Sequence, residues 1–248
     1  MIELIDVTKT FNGRTVLKNL SVSIKTGETF VIIGMSGTGK TVTLKNISGL
    51  IDPDSGQVVI DGMKMNNSSG GTRKKLREKM GVVFQSGALL NWLTVGENVA
   101  LPLVERRVLT GEEISRQVEE KLKLLHLYEA IDRMPAEISG GMKKRVCLAR
   151  VLVRNPEIIL YDEPTSGLDP VMSTVINDLI RRMQREFGVT SVVVTHDMES
   201  AYFLADRIAF LHNGEIIQCD TPEGIRNSVN PTVQQFIRGE IKGPIDVE

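Results

Sequence analysis

The chain has 248 residues, of which 41% are hydrophobic and 25% charged, with 30 Lys and Arg against 31 Asp and Glu for a net charge of −1. This is the balance of a globular protein long enough to bury a full core, and it excludes a disordered or fibrous chain. It also excludes the basic field that nucleic-acid binding normally uses, so no nucleic-acid partner is expected.

The first residues, MIELIDVTKTF, alternate in polarity and lack a basic segment followed by an apolar run, so no signal peptide is expected. Residues 2–10 and 20–25 alternate apolar and polar with the turn pair Asn12-Gly13 between them, which predicts antiparallel strands. Residues 30–33 form a continuous apolar strand running into a glycine-rich loop and a helix predicted over 41–50. Pro53 and Gly56 close that unit. Residues 57–61 and 82–84 read as strands. Between them lie a polar loop, 66–71, and a basic helix, 73–79, whose charges are expected to be solvated.

From Thr94 to about Val153 the pattern is helical only. Thr94-Val95-Gly96-Glu97 carries the Thr-x-x-Glu capping box, and Ile114, Val118, Leu122 and Leu125 fall at helical spacing. Strand signals return at 158–161, 192–194 and 208–211 with helices between them, predicting a mostly parallel core sheet. Asn213-Gly214 marks a late hairpin, and residues 232–238 a short helix followed by a polar end. The longest apolar stretches are strand-sized, far short of the ~20 residues that span a bilayer, so a membrane role is expected to run through a partner. Cys147 and Cys219 have neither metal-ligand spacing nor disulfide density and are expected as free thiols.

GMSGTGKT, Gly34 to Thr41, fits the phosphate-binding pattern GxxxxGK[ST] and stands between an apolar strand and a helix, the context that motif requires. Backbone N–H groups across Gly34, Ser36, Gly37, Thr38 and Gly39 can close around phosphate oxygens at a helix N-terminus. Lys40 would reach the β and γ phosphates, and Thr41 would ligate Mg²⁺. A second acidic group for the metal is supplied by IILYDEP, residues 158–164, where Asp162 and Glu163 follow four apolar residues. Adjacent side chains at a strand end diverge. Asp162 can therefore hold Mg²⁺ while Glu163 orients and deprotonates a water, which describes a nucleotide hydrolase of unspecified kind.

ISGGMKKR, residues 138–145, lies shortly before that acidic strand. Together with FNG near the start, Gln85 after an apolar strand, SGLD at 166–169 and THD at 195–197, it resembles the ABC ATPase family in order and spacing over nearly the whole chain. The resemblance implies an α/β P-loop NTPase fold with a mostly parallel sheet, an N-terminal antiparallel β subdomain and a helical subdomain. It implies one domain over 1–248: a core of about 1–93 and 154–229, a helical subdomain of about 94–153, and a tail, 230–248. The cofactors implied are ATP and Mg²⁺. Ser139, Gly140 and Gly141 would bind the γ-phosphate held by the P-loop of a second copy in a head-to-tail homodimer. Phe11 would stack on adenine, Gln85 would link metal and water to the helical subdomain, Asp169 would cross the dimer, and His196 would contact γ-phosphate and steady Glu163. Lys143, Lys144 and Arg145 are expected to be mostly a solvated face.

Two positions depart from the family pattern. Val42 stands where many members have a hydroxyl residue near the α-phosphate, leaving only its N–H, and Met142 replaces the usual Gln of the signature. The ISGGM signature, the stretch THDMESAYFLADRIAFLHNGEI and the ending NPTVQQFIRGEIKGP are similar to the ATPase of Mla/Mce-type lipid transporters. That likeness implies permease subunits, an envelope lipid-binding (Mce-type) subunit, and a place on the cytoplasmic face of the inner membrane. Residues 85–94 would form part of the groove receiving the permease, with Leu89, Leu90 and Trp92 as apolar contacts. Competing readings are the ATPase of another transporter, such as an amino-acid importer, and an ABC ATPase of DNA repair or translation, which the absence of a basic extension or second ATPase unit disfavours.

Overall fold

Asn12 and Gly13, at φ 48° and 79°, make the left-handed two-residue turn that joins β1 (Ile2–Phe11) to β2 (Arg14–Ile24). The computed structural model describes residues 1–85, 87–106 and 109–246. Ser86 in the 85–94 stretch, Arg107 and Val108 in the helical segment, and Val247 and Glu248 of the tail lie outside the described residues. On the other side of β1 pairs β4 (Ser55–Ile60), which turns at Asp61-Gly62 into β5 (Met63–Lys64). The result is a four-stranded antiparallel sheet in the order β2-β1-β4-β5. Its fourth strand, two residues long, is too short to leave a periodicity in the sequence.

The second sheet has six strands. β3 (Thr29–Ile33), β6 (Met80–Val83), β7 (Ile158–Asp162), β8 (Thr190–Thr195), β9 (Arg207–His212) and β10 (Glu215–Asp220) lie in the order β10-β9-β3-β8-β7-β6. All neighbours are parallel except β10, which the Asn213-Gly214 turn folds back on β9. Every residue of β3, β7 and β8 is buried, as expected for parallel strands covered on both faces. The alternation of β3 divides the interior: Phe30 and Ile32 join the core shared with the antiparallel sheet, while Val31 and Ile33 join the core under the helical segment.

Ile33 is in register with Thr195, and Asp162 with Val194. The segments after β3, β7 and β8 therefore leave the sheet along one edge, the carboxyl edge where open α/β sheets place their ligands. That edge receives the glycine-rich loop, the Asp162-Glu163 pair and His196.

Helices α1 (Lys40–Ile47) and α2 (Gly70–Glu78) precede β6. Between β6 and β7 come α3 (Val95–Val104), α4 (Gly111–Leu124) and α5 (Gly140–Leu152). At the start of α3 the capping box is formed: Thr94 N–H donates to Glu97 Oε2 at 2.7 Å and Glu97 N–H to Thr94 Oγ1 at 3.2 Å. The rest of the chain adds α6 (Pro170–Phe187), α7 (Met198–Leu204), α8 (Pro222–Arg226) and α9 (Pro231–Arg238). Of these, α8 has only five residues, below the length at which a helical period shows in sequence.

Three charges of the basic segment are engaged, while Lys74 and Lys75 are exposed as expected. Arg73 makes a forked pair with Asp52 at 2.7 and 3.0 Å, and Lys79 bridges Asp61 and Glu157 at 3.0 and 2.9 Å. Arg77 donates to the Ser48 and Gly49 carbonyls at the end of α1. These carbonyls lack helical partners, so a guanidinium beside them is favoured by both hydrogen bonding and the helix dipole. The expected polar end of the chain also differs: Ile245 is buried, held on the chain's own α9 by Gln235.

Candidate active site at the sheet edge

Gly34 follows β3 directly, and a Cβ there would lie 2.3 Å from the Leu211 carbonyl oxygen; at Gly39, φ 108°, it would lie 2.7 Å from Leu17 Cδ2. Only glycine fits either position. The loop they permit delivers α1 with no side-chain cap and no acidic residue in its first turn, so its first backbone N–H groups are free for an anion. Ser36 and Gly37 are exposed at the loop's crest, and Thr38 Oγ1 donates to Met35 O at 2.8 Å. Val42 packs on the core beneath, so only its backbone faces the loop's chemistry.

Lys40 runs back along the loop and donates to Gly34 O at 2.7 Å and Met35 O at 2.9 Å, with Glu163 Oε1 3.9 Å away. Burial holds its ammonium below the ordinary lysine range, against the opposing pull of Glu163 and Asp162. Thr41 Oγ1 donates to Asp162 Oδ1 at 2.9 Å. Burial raises the Asp162 carboxyl above the usual carboxylate range, with Glu163 adding to the rise and Thr41 opposing it. An uncapped helix start, a cradle closed to side chains and a hydroxyl beside a carboxylate fit a Mg²⁺-bound nucleotide. Among the described residues no group of three or more His, Cys, Asp or Glu could hold a metal alone. Such a hard cation, held by one or two protein oxygens, would complete its shell with phosphate and water.

Glu163 sits in the left-handed region at φ 48°, a conformation that costs a non-glycine residue roughly 1–2 kcal/mol. Its N–H donates to Val194 O at 2.9 Å, which fixes the turn. The turn brings its carboxylate to His196 Nδ1 at 3.0 Å and to Thr195 Oγ1 at 3.3 Å. Beside it opens a cavity of about 510 Å³ lined by Glu163, Ser166, Gly167, His196 and Asp197 among others. A second, of about 440 Å³, runs from Arg14 and Val16 along Ser36, Gly37 and Thr38 to Pro244–Asp246 of the tail.

The remaining expected residues are more dispersed. Ser139 caps α5, accepting from Met142 N at 3.3 Å; Ser139 and Gly140 are exposed, Gly141 is buried against Met172, and none of the three lines either cavity. Asp169, also exposed, caps α6 by accepting from Met172 N at 2.9 Å. Gln85 is exposed, its amide 3.4 Å from Ser166 Oγ. Phe11 stands exposed at the β1–β2 turn under the Lys9 ammonium, 5.4 Å from the ring centre, just before the Arg14 that lines the second cavity.

Two residues unmarked by the sequence reading belong to this region. Thr195 supports both Glu163 and the Asp197 N–H, the latter at 3.0 Å; its place directly before His196 was the available signal. Lys144, expected among solvated charges, is half-buried and donates to the Gln85 carbonyl, and burial lowers its pKa. Arg145 likewise donates to the Leu125 carbonyl at 3.0 Å, ending α4. Cys147 is buried and Cys219 exposed, both as free thiols.

Residues 17–166 match the sequence family described as ABC transporter. The chain is 41% identical to the chloroplastic protein trigalactosyldiacylglycerol 3 of Arabidopsis thaliana, over 99% of this chain and 75% of that protein. It is 36% identical to the intermembrane phospholipid transport system ATP-binding protein MlaF of Haemophilus influenzae, over 99% of this chain and 93% of that protein. To the methionine import ATP-binding protein MetN 1 of Bacillus cereus it is also 36% identical, over 100% of this chain and 73% of that protein. Among solved structures it is similar to the ATP-binding cassette MJ0796 in a dimeric post-hydrolysis state bound to ADP and Pi. There the TM-score is 0.83 and the identity 39%, covering 90% of this chain and 99% of that one.

Proposed function

This chain belongs to the ABC transporter ATPase family, and we propose that it powers the transport of a lipid, phospholipid in class, through a separate membrane permease. The observation that carries the lipid reading is the match to MlaF, which runs nearly end to end in both chains. The site supports the catalytic roles. Glu163, oriented by His196 and Thr195, is placed to accept the proton of a water attacking the γ-phosphate. The loop N–H groups and Lys40 would hold the phosphates, and Mg²⁺, held by Thr41 and Asp162 and joined by Gln85, would neutralise their charge.

Ser139, Gly140 and Gly141 head a helix away from both cavities of their own chain, which supports their use on the nucleotide of a second copy. The working unit is then a homodimer in which Asp169 also faces the partner and Phe11 meets the adenine. Among the described residues no helix is long and apolar enough to cross a membrane, so attachment to its cytoplasmic face runs through the permease. Trp92, 73% exposed beside Leu89 and Leu90, suits that contact. An envelope lipid-binding subunit of Mce type completes the proposed assembly.

The test is affinity purification of the chain from detergent-solubilised native membranes, followed by mass spectrometry of bound proteins and lipids. Recovery of a multispanning permease, an envelope lipid-binding subunit and phospholipid is expected. A permease with a soluble-solute binding protein would replace the lipid reading with the importer reading that the MetN likeness favours.

A further inference from the structure

On the buried side of α6, Asn177 is the one polar side chain, beside Ile176, Leu179, Ile180 and Met183. A buried amide costs free energy unless it is paired, so its partner shows what it is for. Asn177 Nδ2 donates to Ser200 Oγ at 2.7 Å, and Ser200 Oγ donates to Asp197 Oδ2. The polarity of this line is fixed. A carboxylate only accepts, so the hydroxyl hydrogen of Ser200 goes to Asp197 and its oxygen must take a hydrogen from Asn177. That amide orientation leaves Asn177 Oδ1 without a partner among the described residues. From Asp197 the line runs on into the site. Its N–H donates to Thr195 Oγ1 at 3.0 Å, Thr195 Oγ1 donates to Glu163 Oε2 at 3.3 Å, and His196 Nδ1 lies 3.0 Å from Glu163 Oε1. Asn177, Asp197 and Ser200 line the same cavity as Glu163 and His196.

We propose that Asn177 and Ser200 are positioning residues for hydrolysis: they fix the Asp197 carboxylate and, through it, the 195–197 turn that aims His196 and Thr195 at Glu163. The other carboxylate oxygen, Asp197 Oδ1, accepts from Glu199 N at 3.0 Å, so both oxygens are held and the turn is pinned to the start of α7. The inference rests on the proposed roles of Glu163 and His196. A second tie between the same two helices supplies its control. Arg181, one helical turn after Asn177, donates to the Phe203 carbonyl at 2.8 Å, and its guanidinium lies 5.0 Å from the Phe203 ring centre. That tie holds α7 by the end opposite the 195–197 turn.

The experiment measures ATP hydrolysis and melting temperature for the purified full chain and for Ser200→Ala, Ser200→Thr, Asn177→Asp, Arg181→Met and the double variant Asn177→Asp/Ser200→Ala. Ser200→Ala should lower kcat about tenfold with KM for ATP changed less than about twofold, a loss felt after binding. Ser200→Thr, which keeps the hydroxyl, should recover most of the rate. Asn177→Asp has nearly the same shape but offers the Ser200 hydrogen a second acceptor, drawing it from Asp197, and should be as slow as Ser200→Ala. Both changes act on one carboxylate, so the double variant should be no slower than Ser200→Ala alone. Arg181→Met should lower the melting temperature as Ser200→Ala does, yet keep kcat within about twofold of the native rate. A native kcat for Ser200→Ala, failure of the Thr variant to rescue, multiplied losses in the double variant, or an equal kcat loss in Arg181→Met would each overturn the positioning role. A native rate for Glu163→Gln would instead remove the base at which the turn is aimed, and the positioning role with it.

Discussion

His196 Nδ1 lies 3.0 Å from Glu163 Oε1, joining two residues 33 positions apart in sequence. The contact exists because β7 and β8 are parallel neighbours and Glu163 leaves its strand in a left-handed turn. Asp162, the preceding residue, stays in the strand and faces Thr41. One backbone turn thus separates two adjacent carboxylates into two environments. Asp162 faces the helix that starts the phosphate loop, and Glu163 faces the side of the sheet from which a water must approach.

That separation predicts the behaviour of Glu163→Gln. The amide keeps the side chain's shape but cannot accept a proton, so kcat should fall about 10²–10⁴-fold while ATP still binds. ATP should then hold the variant as a dimer on size exclusion. Hydrolysis near the native rate would take the base role away from Glu163.

The core strands and the motifs at their ends were legible because each rests on local pattern; the strand order, set by tertiary pairing, was not. The apolar runs of β3, β7 and β8 are unbroken, and the motifs stand at their ends. The engaged basic residues were not legible. Arg73, Arg77, Lys79, Lys144 and Arg145 look like solvated charge in sequence, and their partners at Asp52, Ser48, Asp61, Gln85 and Leu125 are chosen by tertiary approach. The left-handed conformation of Glu163 was equally hidden, since nothing in a glutamate signals positive φ.

Asp162 gives the site a pH dependence of definite sign. Its folded-state pKa lies above the ordinary value, mainly through burial, so its proton is lost at higher pH than an exposed Asp would lose it. Its ionised form therefore costs stability above that pKa, a cost relieved as pH falls through it. Metal binding needs the ionised form, so Mg²⁺ affinity in the presence of nucleotide should weaken on acidification before an exposed carboxylate would protonate. Asp162→Asn should raise the Mg²⁺ concentration for half-maximal hydrolysis roughly 10–100-fold. It should also raise the melting temperature of the metal-free protein at neutral pH. Magnesium titrations from pH 5 to 8 with calorimetry would expose the opposite signs.

Placement of Ser139–Gly141 away from the chain's own phosphate loop predicts complementation between damaged subunits. Lys40→Ala and Ser139→Ala should each be inactive alone. Mixed in equal amounts and allowed to exchange, they form heterodimers with one intact site, so about one quarter of all sites recover. No recovery after verified exchange would argue against sites shared between subunits.

The tail supplies the last prediction. Gln235, 3% exposed, donates from Nε2 to the carbonyls of Glu240, Ile241 and Ile245 at 3.3, 3.5 and 3.1 Å, and its Oε1 accepts from Ile245 N at 2.6 Å. One side chain thus substitutes for secondary structure over residues 240–245 and holds Ile245 beside the phosphate loop. Gln235→Ala should remove the anchor at a cost of about 1–3 kcal/mol, because several backbone groups lose their buried partner together. Residues 240–246 should then become sensitive to limited proteolysis while residues 1–230 stay resistant. If the tail matters only to its own fold, KM for ATP will hold within about twofold. A rise in KM beyond that would show that the wall built by Pro244–Asp246 shapes the nucleotide pocket itself.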